Sequence, residues 1–139
     1  MTLVLDASVA LAWGLEDEGP GHDYAQRVLS GLAQQGAVAW VPSLWGLEVG
    51  NVLARGEARG TVPAARLEAL LRVLDHLPLR IDEQTAERAL RETLVLARQR
   101  RLSTYDASSL ELAARKGLPI ATLDAALAAA ADACGVARV

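Results

Sequence analysis

Apolar positions along the chain come in short runs separated by longer stretches of helical spacing. Thr2 to Leu5 form a β-rich run, and Ser8 to Trp13 then show helical periodicity, as do His22 to Gln35 beyond a turn region at Glu16 to Gly21. Ala37 to Val41 reads as a second strand. Pro42 and Ser43 punctuate it before a helix that runs to about Arg59, where Gly60 and Pro63 stop it. A further helix spans about Ala64 to Asp75, and Leu79 to Ile81 is a third strand. Asp82 is expected to cap a helix through about Gln99, and Ser103 starts another that ends at Gly117. Pro119 to Leu123 gives a fourth strand, Asp124 starts the last helix, and Val136 to Val139 form a small edge strand. Short strands that are apolar on both faces and alternate with helices predict a parallel sheet covered on both sides. The expected architecture is one α/β domain over residues 1–139, three-layered α/β/α, with four to five short parallel strands.

Composition narrows the class. The chain has 139 residues, 52% of them hydrophobic, enough for one domain with a sizeable core. No apolar stretch is long enough to span a membrane and the start lacks signal-peptide features, so a soluble, cytoplasmic protein with no membrane partner is expected. The lone cysteine, Cys134, rules out an intrachain disulfide and a cysteine-based metal cluster, and reads as a small core residue. The net charge of -3 argues against wholesale electrostatic binding to nucleic acid, so any such contact needs a local patch. Lys116 is the only lysine among 14 basic residues, and the arginines that make up the rest suit bidentate phosphate contacts. Trp13, Trp40 and Trp45 read as core or subunit contacts rather than a base-stacking platform.

Functional groups in open parallel α/β sheets gather beyond the carboxyl ends of strands. Asp6 and Asp124 both stand at such ends, yet each also stands where a helix N-cap is expected. Asp82 looks the same and is assigned to capping alone. Glu48 lies in SLWGLEVGNVLARG beside an apolar stripe of Trp45, Val49, Val52 and Leu53, and Asn51, Arg55 and Arg59 share its face. An ordinary solvated face has the same spacing. Asp106 follows Ser103 by three residues in LSTYDASSLELA, a capping-box variant that puts it in a first helical turn. Taken singly, each acid leaves capping and catalysis both open.

In order, VLDASVALAW, LEVGNVL, LSTYDASSLELA and IATLD resemble the PIN-domain ribonucleases, and among them the toxin subunits of VapBC-type toxin-antitoxin pairs. The resemblance covers nearly the whole chain. It implies an α/β/α fold and an endoribonuclease that cuts RNA with one or two Mg²⁺ or Mn²⁺ ions held by Asp6, Glu48, Asp106 and Asp124. Ser103 and Thr122 match hydroxyl positions that look like supporting groups, and Asn51 is added beside Glu48. Ala125, Ala126 and Leu127 follow the last aspartate, so the fifth carboxylate of some relatives is not expected. Ser108 and Ser109 stand where relatives often have an aromatic. The implied partners are an RNA substrate, a second copy forming a homodimer, and a cognate antitoxin in a hetero-oligomer.

The chemistry agrees. Hard divalent cations want oxygen ligands, and clustered carboxylates without a cation repel and raise one another's pKa values. Neither His22 nor His76 belongs to these motifs, and no serine or cysteine has a recognisable base nearby, which leaves metal-activated water as the nucleophile. Arg55, Arg59, Arg98 and Arg101 are candidate contacts to RNA phosphates, with stabilisation of helix C-termini as the ordinary alternative. Two rivals stand beside this reading. One is a phosphohydrolase with Asp6 as nucleophile, weakened because Ser8 stands where a second acid is usual and Lys116 is the only companion lysine. The other is a non-catalytic module that uses the acids as caps.

Overall fold

A computed structural model describes residues 1–139. Its order is β1 (Thr2–Leu5), α1 (Ala7–Leu15), α2 (Pro20–Leu32), β2 (Val38–Pro42), α3 (Trp45–Ala58), α4 (Ala64–Asp75), β3 (Leu79–Asp82), α5 (Thr85–Arg88), α6 (Glu92–Arg100), α7 (Thr104–Lys116), β4 (Ile120–Ala121) and α8 (Ala125–Ala133). The four strands form one parallel sheet in the order β3-β2-β1-β4. A strand turns successive side chains to opposite faces, and β1 shows what this does. Leu3 and Leu5 enter one apolar cluster with Val9, Val28, Val49 and Leu53, while Val4 enters a second with Leu110, Leu112 and Leu127. Ala39 and Val41 of β2 and Ala121 of β4 join the first cluster, and Ile120 joins the second. Helices α1 to α4 therefore cover one face and α7 and α8 the other, the three-layer α/β/α arrangement expected. Gly14 lets α1 lie close on α4, since a Cβ there would stand 2.7 Å from Leu70 Cδ2.

Five features differ from the sequence reading. The helix expected from Asp82 to Gln99 is two, α5 and α6, interrupted at Arg91, whose backbone (φ -120°, ψ -112°) is not helical. Buried Thr93 and Ala97, one turn apart, seat α6 among its neighbours, and tertiary packing of this kind overrides local propensity. Asp82 is not a cap but the last residue of β3, 3% exposed and paired with Arg115 at 2.8 Å. Arg115 also reaches Glu111 at 2.8 Å, and Arg88 reaches Glu111 at 3.3 Å, so a mostly buried ion network joins β3, α5 and α7. Because β3 is an edge strand, Arg80 and Ile81 are exposed rather than packed on both faces. The fourth strand is only two residues long, and the C-terminal strand reduces to one bridge between Ile120 and Arg138. No helix is long and apolar enough to cross a membrane.

Candidate active site

The strand order makes β1 central: the chain moves from it to β2 on one side and reaches β4 on the other. Crevices at such switch points, beyond the carboxyl ends of the strands, are where open α/β sheets hold their ligands. Asp6 follows β1 and Asp124 lies shortly beyond β4, so the two aspartates flank this crevice. Asp106 enters from the first turn of α7 and Glu48 from the first turn of α3.

Asp6 is 3% exposed, and three donors converge on one of its oxygens. Oδ2 accepts the Ser8 backbone N–H at 3.3 Å, the Ser8 hydroxyl, and the Thr122 hydroxyl at 2.9 Å. The same two hydroxyls accept bonds from the β4–α8 connection, Ser8 Oγ from the Leu123 N–H at 2.9 Å and Thr122 Oγ1 from the Asp124 N–H at 3.0 Å. Asp124 Oδ1 accepts the Leu127 N–H at 2.8 Å and caps α8. In each aspartate one oxygen is occupied by the fold and the other, Oδ1 of Asp6 and Oδ2 of Asp124, has no protein donor. Ser103 caps α7 by accepting the Asp106 N–H at 3.1 Å.

Glu48 and Asp106 feel the neighbouring acids. Burial, then the charges of Asp6 and Asp106, raise the Glu48 pKa to about 7, with no lowering influence. Burial, then Asp6 and Asp124, also raise that of Asp106, eased by the Ser103 hydroxyl. Yet no three acidic, histidine or cysteine side chains have closed to the spacing that grips a metal ion. The raised pKa values follow from burial and from like charge in a half-buried crevice, both of which favour the protonated form. The donor set fits a hard divalent cation: four carboxylates, no soft ligand, and free oxygens at both ends of the crevice.

Asn51, Arg55 and Arg59 follow Glu48 along α3 and are exposed, as are Arg98 and Arg101 at the end of α6. None of these arginines is in an ion pair; those of the protein are made by Arg66, Arg88, Arg115 and Arg138. Arg101 is the one non-glycine residue with positive φ, at 55°. Lys116 is not beside Asp6: its ammonium lies 3.7 Å from the centroid of the Trp40 ring.

Two residues escape a reading of the sequence. Ser8 looks like the second residue of a helix, and only its position two after Asp6, a spacing at which a short hydroxyl can bond back, hints at more. Tyr24 on α2 stands beside the Thr122 backbone, where burial first and the Asp6 charge last raise its phenol pKa. Only tertiary contact brings it there, and no local signal marks it.

A PIN domain family model matches residues 3–133. The chain belongs to the PIN domain family. PIN domains are generally nucleases, typically use divalent metals, and often bind RNA and pair with antitoxins. Among solved structures, that of PAE2754 from Pyrobaculum aerophilum is similar, with a TM-score of 0.67 and 25% identity over 94% of this chain and 79% of that one. No curated protein matches.

Proposed function

We propose that this PIN domain is a metal-dependent endoribonuclease and the toxin component of a type II toxin-antitoxin pair, with Asp6, Glu48, Asp106 and Asp124 as its metal ligands. The observation that carries the reading is that Asp6 and its neighbours raise the pKa values of Glu48 and Asp106 in one crevice, while Asp6 and Asp124 each keep one oxygen with no protein donor. Bound there, one or two Mg²⁺ or Mn²⁺ ions supply the charge that activates water and stabilises the leaving oxygen of the phosphodiester. The chain's own residues do the rest. Ser8 and Thr122 fix the Asp6 carboxylate by holding Oδ2, which leaves Oδ1 as the oxygen that would ligate a cation. Ser103 holds Asp106 in its helical turn, and Thr122 ties the Asp124 backbone to Asp6. Asn51, one turn after Glu48 on α3, would support the metal site, while the unpaired Arg55, Arg59, Arg98 and Arg101 draw RNA phosphates toward an otherwise acidic molecule. Its protein partners are a second copy and an antitoxin.

The capping bonds of Asp6 and Asp124 favour the alternative of an inert module. Metal titration separates the two. The nuclease reading expects millimolar Mg²⁺ or Mn²⁺ to raise the melting temperature and Asp106→Asn to abolish cleavage of total RNA while stabilising the metal-free fold. A metal-insensitive protein whose Asp106→Asn form is less stable than wild type refutes it.

A further inference from the structure

At the β4 edge of the sheet, the connection from β4 to α8, the first turns of α8, Tyr24 of α2 and Arg138 frame an open cleft of about 510 Å³. Thr122 and Asp124 belong to its wall, so it adjoins the acid crevice. Thr122 holds Asp6 Oδ2 at 2.9 Å, and Asp124 is, on the nuclease reading, a ligand of the metal. Whatever lies in the cleft is a neighbour of the group held by the acids.

Its chemistry selects the occupant. Arg138 is the one basic residue of the lining, and the fold holds it in place. The backbone around it bridges to β4, where the Ile120 N–H donates to Ala137 O at 2.9 Å and the Val139 N–H donates to Ile120 O at 3.1 Å. Its Nε–H donates to Asp132 Oδ1 at 2.9 Å, the only hydrogen bond of the side chain, so Nη1 and Nη2 keep their donors. The Tyr24 hydroxyl stands beside the Thr122 backbone and feels the Arg138 charge, so phenol and guanidinium meet at the same cleft. A guanidinium held at Nε with its far end free suits the oxygens of a phosphate. A stacked base is not selected, because the Tyr24 ring packs against the core with the Arg27 guanidinium 5.8 Å from its centroid, and Ala125 and Ala128 offer no aromatic face. A free anion would meet the Asp124 carboxylate as well. The cleft therefore favours an anion tethered to a group that the acids already hold through a cation.

We propose that this cleft binds an RNA phosphate flanking the scissile one, through the Nη donors of Arg138 and the Tyr24 hydroxyl, with Asp132 as the residue that positions Arg138. The inference rests on the ribonuclease reading and adds to it the side of the crevice over which the strand runs. The arginines named above stand on helices that follow β2 and β3, whereas Arg138 stands at the β4 edge. Contacts to phosphates fix the register and orientation of a nucleic acid without reading its bases, so this one orients the strand and leaves the choice of sequence to other groups.

The test is a cycle between protein and RNA. Short single-stranded RNAs spanning the mapped cleavage site are prepared with one linkage at a time, on either side of the cut, replaced by an uncharged methylphosphonate. For wild type, neutralising one flanking linkage lowers kcat/KM about fivefold to thirtyfold, the worth of a charge-assisted contact. For Arg138→Ala the same replacement costs at most about twofold, the scatter expected of uncoupled changes. With unmodified RNA, the log–log salt slope of cleavage flattens in Arg138→Ala by about 0.7, the share of a single phosphate contact on a single strand. Tyr24→Phe, which keeps the ring and removes the hydroxyl, loses part of the effect at that linkage alone, and melting curves check that both variants are folded. Equal cost of neutralisation in wild type and Arg138→Ala at every linkage overturns the proposal. So does that result joined to a loss of self-association of Arg138→Ala in sedimentation, which assigns the cleft to a protein contact. If no RNA is cut at all, the cycle is run on binding of a short RNA of fixed sequence, with the same replacements, to wild type and Arg138→Ala in Mg²⁺. Coupling in binding keeps the phosphate site while the nuclease reading falls, and absence of coupling removes the site.

Discussion

Replacing Glu48 by glutamine in the metal-free protein should stabilise the fold, by an amount that depends on pH. The Glu48 pKa rises from 4.5 to about 7 on folding because the crevice half-buries the carboxylate and Asp6 and Asp106 repel it. Above pH 4.5 the unfolded chain gives up this proton while the folded protein holds it until about pH 7, so folding takes up a proton in that window. Stability from this group is full below 4.5, falls as the pH rises to about 7, and is flat beyond. At about 1.4 kcal/mol for each pKa unit the ceiling of the penalty is about 3.4 kcal/mol. Solvent reaches half of the side chain and screens the repulsion, which reduces the expected value to about 1–2 kcal/mol. Glu48→Gln carries no charge and escapes it. Thermal and urea unfolding in chelator should show the variant more stable than wild type by that amount at pH 8, about 3–8 °C in Tm, and equal to it near pH 4.5. Millimolar Mg²⁺ should reverse the order at pH 8, since wild type then gains the ligand. A variant no more stable than wild type at pH 8 in chelator, or one with the same advantage at every pH, refutes the reasoning.

Other residues give sharp expectations. Ser8→Ala removes one donor to Asp6 and the acceptor of the Leu123 N–H, and should cost about 1–2 kcal/mol in urea unfolding and reduce RNA cleavage, with threonine restoring more than alanine. Arg101→Gly relieves a left-handed backbone at φ 55° and should raise stability by about 0.5–1 kcal/mol, yet weaken RNA cleavage at low salt and flatten its salt dependence. Unchanged cleavage and salt slope would leave Arg101 a helix terminator only. Arg115→Met strands Asp82 as an unpaired buried charge and leaves Glu111 only Arg88, and should cost about 3–5 kcal/mol by denaturation while the folded fraction cuts RNA at the wild-type rate.

Much of this fold is written in local pattern. The first strand, α4 and the starts of α7 and α8 fall where period, cap residue and stop residue agree, as Ser103 and Gly117 do at the two ends of α7. What was not legible depends on partners far along the chain. Residues 82–99 carry a helical pattern without proline or glycine, and nothing local says that the helix is cut at Arg91. Asp82 has the look of a cap, and only Arg115, 33 residues away, makes it a buried ion-pair partner. At the crevice, capping does not use up the carboxylates. A carboxylate has two oxygens, and in both Asp6 and Asp124 one serves the helix and leaves the other free. Sequence could name these residues, but the division of labour between their oxygens exists only in three dimensions.

The anchoring of the four acids is unequal. Asp6 continues a strand paired on both sides, with its own N–H bonded to Ala121 O at 3.0 Å, and Ser103 and Asp124 close the starts of α7 and α8 with side-chain caps. Helix α3, which carries Glu48, begins at Leu44 with no side-chain cap. Among the elements that carry the acids, native-state amide exchange should therefore run slowest along β1 and faster at the start of α3 than at the capped starts of α7 and α8. Of the four acids, Glu48 then stands on the helix start with the weakest local hold, while the other three sit on a strand end and two capped turns.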